Sequence, residues 1–228
     1  MSVGAGVARA PHLAGYRERV SSVEQVLWSA PEDERAGRPL LVLLHGHGMD
    51  ERMGTELLHR LPELLVVASL RGPRRLRSGY GWFPLDATLR YEQVETVARD
   101  VLAWVGLQHG YSSIGVLGFS QGSTVATHCL RLEPQRFAYG VVLSGFVVPV
   151  VLPGDTALAA RRLRVFAGRG DADPLVPRHI AAFTDAWLAD HTDVTTRTYR
   201  GLGHNVSDAE IGDLAAFLAA QLQPLAAG

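Results

Sequence analysis

Serine, aspartate and histidine each stand in this chain beside glycine-bounded turns, in an order that a nucleophilic relay can use. The serine is Ser120, in Gly118-Phe119-Ser120-Gln121-Gly122. An apolar run at 114–117 precedes this stretch and a helical pattern follows it, so the context reads as strand, sharp turn and helix, a nucleophile elbow. Serine at the tip of such a turn adopts a strained backbone, and glycines two before and two after it let strand and helix approach closely. The first amides of the helix then lie beside the Ser120 oxygen, where an oxyanion would develop.

An acid and a base follow in the order serine, acid, histidine. The apolar run at 163–167 leads into Arg169-Gly170-Asp171-Ala172-Asp173-Pro174-Leu175-Val176-Pro177. A carboxylate there sits at the carboxyl end of a strand, where open α/β sheets place their sites. Spacing permits either Asp171 or Asp173, and a short acid in a glycine-rich turn also commonly bonds its own backbone. Beyond a further strand lies Gly201-Leu202-Gly203-His204, before a final amphipathic helix carrying Ile211, Leu214, Phe217, Leu218 and Leu222. His204 is the candidate base. His12, His59, His109, His179 and His191 fall in polar or helix-end surroundings typical of surface residues.

Upstream, the run Leu40-Leu41-Val42-Leu43-Leu44 ends in His45-Gly46-His47-Gly48. A continuous apolar run bounded by glycines fits a strand buried on both faces of a parallel sheet. The loop after it can offer the backbone N–H of His47 as a second oxyanion donor. An alternative chemistry takes His45, His47 and Asp50 as ligands of a hydrolytic zinc. A further alternative is a catalytically silent binding module, which the fold by itself never excludes.

These motifs together resemble the phospholipase/carboxylesterase family of α/β-hydrolases, which includes acyl-protein thioesterases and bacterial carboxylesterases. The likeness rests on Leu44-His45-Gly46-His47-Gly48, Gly118-Phe119-Ser120-Gln121-Gly122, Leu143-Ser144-Gly145-Phe146, the Asp171 to Pro177 loop and Gly203-His204, spanning 40 to 204 in family order. The resemblance implies a serine hydrolase of carboxylic esters or thioesters, with Ser120 as nucleophile, His204 as base, Asp173 rather than Asp171 as acid, and the amides of His47 and Gln121 as oxyanion hole. It implies no cofactor and a small-molecule ester or thioester as substrate. Two departures stand out: Ser123 where the family usually has a second glycine after the elbow, and Arg169-Gly170 where it usually has His-Gly.

The elements that must position these groups alternate. Strand-like runs at 23–28, 40–44, 64–68, 114–117, 139–143, 163–167 and 194–199 are separated by helical patterns, such as the face formed by Val94, Val97, Ala98, Val101, Leu102 and Val105. Alternation of this kind predicts a single α/β domain with a mostly parallel twisted sheet and helices on both faces. We expect a domain over 21–225 behind an N-terminal extension, 1–20, and an exposed turn at 31–39. A chain of 228 residues suits one such domain. The net charge of −1 favours neither nucleic acid nor a membrane surface. One cysteine, Cys129, excludes an internal disulfide and fits the cytoplasm. No signal peptide or membrane-spanning run is visible, and either a monomer or a homodimer is compatible.

Substrate choice falls to the loops at 71–91 and 146–158. Tyr80, Trp82, Phe83 and Phe146 are candidates for lining an acyl pocket. Arg71, Arg74, Arg75 and Arg77 form a candidate positive rim for an anionic part of a substrate.

Overall fold

In the computed structural model, residues 23–58, 60–85 and 90–222 are described; the expected extension at 1–20, with His12, and His59, expected at the surface, lie outside them. The main strands are β1 (Val26–Trp28), β2 (Leu40–Leu44), β3 (Val66–Leu70), β6 (Ile114–Phe119), β7 (Tyr139–Leu143), β8 (Arg164–Gly170) and β9 (Asp193–Tyr199). They form a seven-stranded sheet in the order β1-β3-β2-β6-β7-β8-β9. All neighbours pair in parallel except β1, which lies antiparallel on β3 at one edge. The remaining two, β4 (Arg74–Arg75) and β5 (Tyr80–Gly81), make a separate hairpin.

The helices are α1 (Met53–Leu58), α2 (Tyr91–Gly106), α3 (Gln121–Leu132), α4 (Asp155–Arg161), α5 (Arg178–His191) and α6 (Asp208–Leu222). Successive residues of a strand point to opposite faces, so β2 divides its five apolar side chains between two cores. Leu40, Val42 and Leu44 pack with the apolar faces of α2, α3, α4 and α5. Leu41 and Leu43 pack with Met53 and Leu57 of α1 and with Ile211, Leu214 and Leu218 of α6. Each central strand is thus buried on both sides, which is why it reads as a continuous apolar run. Cys129 is buried in the first of these cores. Among the described residues no helix is long and apolar enough to cross a membrane.

Chain order reverses direction across the sheet between β2 and β6: β3 and β1 lie to one side of this pair, and β7, β8 and β9 to the other. The crevice at such a reversal, at the carboxyl ends of the strands, is where open α/β sheets bind ligands. Ser120 follows β6 there, and His47 follows β2.

Several elements differ from the sequence reading: β1 starts at Val26 rather than 23, and β8 runs on to Gly170 rather than ending at 167. Strand β3 starts at Val66 rather than 64, because Leu65 N–H turns back to the Pro62 carbonyl and leaves Leu64 exposed. The β4–β5 hairpin was not expected, since two-residue strands are too short to show a period.

Candidate active site

Ser120 sits between β6 and α3 with φ 53° and ψ −118°, a left-handed conformation that L-residues seldom adopt. Its glycines are required sterically. A Cβ on Gly118 would lie 2.3 Å from the Gly122 carbonyl oxygen, and one on Gly122 would lie 2.1 Å from the carbonyl oxygen of Leu44 at the end of β2. Both obstacles are backbone, so neither can swing aside. Gly122→Ala is therefore expected to lose about 3 kcal/mol or more of stability. Gly212→Ala, in α6 where a Cβ meets nothing within 4 Å, should instead gain about 0.5–1 kcal/mol. Thermal unfolding of both variants checks the contrast, and a Gly122→Ala protein as stable as wild type would refute the packing account.

Ser123 fills the place of the usual second glycine. Its hydroxyl is buried, lies 2.5 Å from the Gly118 carbonyl and 2.8 Å from that of Leu143, and accepts from Leu143 N–H at 3.0 Å. A Cβ on Gly145 would fall 2.1 Å from the Ser123 Cβ, so Gly145 makes room for this side chain. The substitution ties the elbow to the end of β7.

The acid loop and the histidine loop meet at the same end of the sheet. His204 Nε2 lies 2.7 Å from Ser120 Oγ, and His204 Nδ1 lies 2.7 Å from Asp173 Oδ2. An ionised carboxylate only accepts, so Nδ1 carries the ring proton and Nε2 is free to accept from the serine. The other Asp173 oxygen accepts from Leu175 N–H at 2.8 Å and Val176 N–H at 3.3 Å, which fixes the carboxylate plane. Asp171 plays a different part, accepting from Gly201 N–H at 2.6 Å and so fastening the acid loop to the histidine loop. Gly170 allows the two loops to touch, since a Cβ there would meet the Leu202 carbonyl oxygen at 1.9 Å.

The His47 loop is pinned to the hairpin. Gly48 N–H donates to the Tyr80 carbonyl at 2.8 Å, and Tyr80 N–H donates to the Met49 carbonyl at 2.7 Å. Among the described residues the amides of His47 and Gln121 have no carbonyl partner, and both residues line the Ser120 cavity. The Gln121 side chain does something the sequence did not suggest. It accepts from Trp82 N–H at 2.8 Å and donates to the Phe83 carbonyl at 2.7 Å, holding the aromatic segment against the elbow.

The Ser120 cavity has a volume of about 350 Å³, and Phe83, Phe119, Phe146, Leu175 and Val176 give it an apolar wall. Of the four candidate pocket residues, Phe83 and Phe146 line it; Tyr80 and Trp82 do not. Trp82 is buried, its indole N–H donating to the His45 carbonyl at 2.8 Å and its ring packing on the His45 imidazole. Tyr80 lies under the Arg71 guanidinium, 4.5 Å from its ring centre. The expected positive rim is also corrected. Arg71 is consumed by two hydrogen bonds to Glu51, at 2.6 and 2.5 Å, and Arg74 lines a separate recess with Trp82 and Gln93. None of Arg71, Arg74, Arg75 and Arg77 lines the Ser120 cavity.

The zinc alternative fails on the ring nitrogens of His45. This residue is fully buried; Nδ1–H donates to the Gly46 carbonyl at 2.7 Å and Nε2 accepts from Gly72 N–H at 2.9 Å. Burial lowers its pKa below the ordinary histidine value and keeps it neutral. No lone pair is left for a metal, and among the described residues no three His, Cys, Asp or Glu side chains cluster to hold one.

Comparison with known proteins identifies the family. The profile of the phospholipase/carboxylesterase family matches residues 30–222. Acyl-protein thioesterase 1 of Saccharomyces cerevisiae is 30% identical over 105 residues, covering 44% of this chain and 46% of that protein, so the chain matches about half the length of this relative. Esterase YpfH of Escherichia coli K12 is 25% identical over 190 residues, covering 77% of this chain and 79% of its own. The crystal structure of the Bacillus cereus carboxylesterase superposes with a TM-score of 0.71 at 17% identity, over 86% of this chain and 94% of that one. Sheet order, elbow and the profile match over most of the chain place it in one group: it belongs to the phospholipase/carboxylesterase family of α/β-hydrolases, a family of ester-cleaving enzymes.

Proposed function

We propose that this chain hydrolyses small carboxylic esters or thioesters through a Ser120–His204–Asp173 relay and an acyl-enzyme intermediate. The observation that carries the reading is the continuous hydrogen-bonded path from Ser120 Oγ through His204 to Asp173, 2.7 Å at each step, at the wall of an apolar cavity. His204 takes the Ser120 proton as Ser120 Oγ attacks the acyl carbonyl, and Asp173 stabilises the imidazolium that forms. The amides of His47 and Gln121 receive the oxyanion. His204 then returns the proton to the departing alkoxide or thiolate. Water, deprotonated by the same imidazole, attacks the acyl-enzyme and releases the acid and Ser120. The relay needs no cofactor.

The apolar wall supports placing the acyl chain in the cavity. Each methylene buried there is worth about 0.8 kcal/mol, so kcat/KM should climb about fourfold per added carbon until the cavity is full. Leu85 and Leu175 at its edge are 56% and 66% exposed, so longer chains run out over the rim into water and gain little. Hydrolysis of nitrophenyl esters of graded chain length by the purified protein tests this. A rate that falls steadily from the acetyl ester onward would sink the assignment.

A further inference from the structure

Strand β8 ends in Gly168-Arg169-Gly170, and its alternation sets where Arg169 points. A Cβ on Gly168 would meet Glu210 of α6 and one on Gly170 would meet the histidine loop, so both face that side of the sheet. Arg169, between them, faces the other side, toward α5. Its guanidinium pairs there with Asp185 of α5, the arginine side chain being 14% exposed and the aspartate 43%. Arg169 and Asp173 line one cavity of about 390 Å³, which adjoins the Ser120 cavity and shares Ser144 and Val176 with it. Burial pushes the Arg169 pKa below the ordinary arginine value, and the Asp173 carboxylate acts in the opposite sense. Arg169 thus shares a cavity wall with the acid that orients His204.

A half-exposed carboxylate is screened by water and does not cancel a more enclosed guanidinium in full. The balance falls on Asp173. We propose that the Arg169–Asp185 pair is a positioning device for the relay, its residual positive charge acting on Asp173 and, through that carboxylate, on the His204 imidazole. The proposal rests on Asp173 serving as the acid, as argued above. The charges facing Arg169 are Asp185 and Arg178 from α5 and Asp171 and Asp173 from the acid loop, with uncharged Thr198 on β9 and Ser144 after β7. His204 itself faces Asp173 and Ser120, with the Phe119 ring 5.3 Å away.

The sign is fixed by charge. Removing the cation leaves Asp173 a stronger partner for the imidazolium, so His204 binds its proton more tightly and the acid limb of kcat/KM moves to higher pH. Removing the Asp185 charge strengthens the field of Arg169 and moves the limb to lower pH. Arg169→Met and Asp185→Asn should therefore shift it in opposite directions, each by on the order of half a pH unit, while Arg169→Lys stays near wild type. A purely structural role lowers kcat without moving the limb. An unmoved limb in both variants, or a shift of the same sign in both, overturns the proposal; if Arg169→Met does not fold, the downward shift in Asp185→Asn decides. Asp173→Asn measured alongside separates the role of Arg169 from the relay on which it rests. Full activity in that variant refutes the relay, whereas a crippled Asp173→Asn enzyme with unmoved limbs in the other two leaves the relay standing and removes Arg169 from it.

Discussion

Ser120→Ala is expected to lower kcat for ester hydrolysis on the order of 10⁵- to 10⁶-fold, the scale on which loss of a relay nucleophile acts. The residue supplies the oxygen placed 2.7 Å from His204 Nε2, and an alanine there leaves the imidazole with no proton to take. The fold should be indifferent. Alanine bears the same strained φ of 53°, and the change deletes one half-buried hydroxyl and a single hydrogen bond, worth about 1 kcal/mol. Steady-state rates and a thermal melt on the same preparation test both halves. Retained activity in a folded variant would place the nucleophile elsewhere.

Asp173→Asn should cost about 10⁴-fold in kcat, because the amide NH₂ cannot accept the Nδ1 proton and the ring settles into the wrong tautomer. Asp171→Asn should cost far less, since its amide oxygen still accepts from Gly201 N–H and any weakening of that bond reaches His204 only through its loop. Kinetics of the two variants side by side decide the matter. Equal losses would mean that holding the loops together matters as much as the tautomer, and the reverse ranking would transfer the role of acid to Asp171.

The distinction between those two acids shows where sequence reasoning ends. Both occupy the same glycine-bounded loop, and only the path of the chain through Gly170 decides that Asp171 meets Gly201 while Asp173 meets His204. Strands β2 and β7 are legible to the residue because both faces are buried and the apolar run stops where the cover stops. The start of β3 is not, since Leu64 looks apolar in sequence and lies exposed in a turn. Aromatic clustering pointed to Tyr80, Trp82 and Phe83 alike, yet Trp82 spends its ring and N–H on His45 and Tyr80 is covered by Arg71. Neither partner is adjacent in sequence, and pairing at such distance leaves no periodic trace. Likewise nothing local marks Gln121 as the side chain that fastens residues 82 and 83, or Glu51 as the sink for Arg71.

The central claim is that Ser120 becomes covalently acylated during turnover. Treating the native protein with a fluorophosphonate and mapping the adduct by peptide mass spectrometry tests it most directly. The account predicts one adduct, on Ser120, with complete loss of esterase activity, and no adduct in Ser120→Ala. An adduct on another serine that tracks the loss of activity would contradict it, as would an unlabelled enzyme that continues to turn over ester.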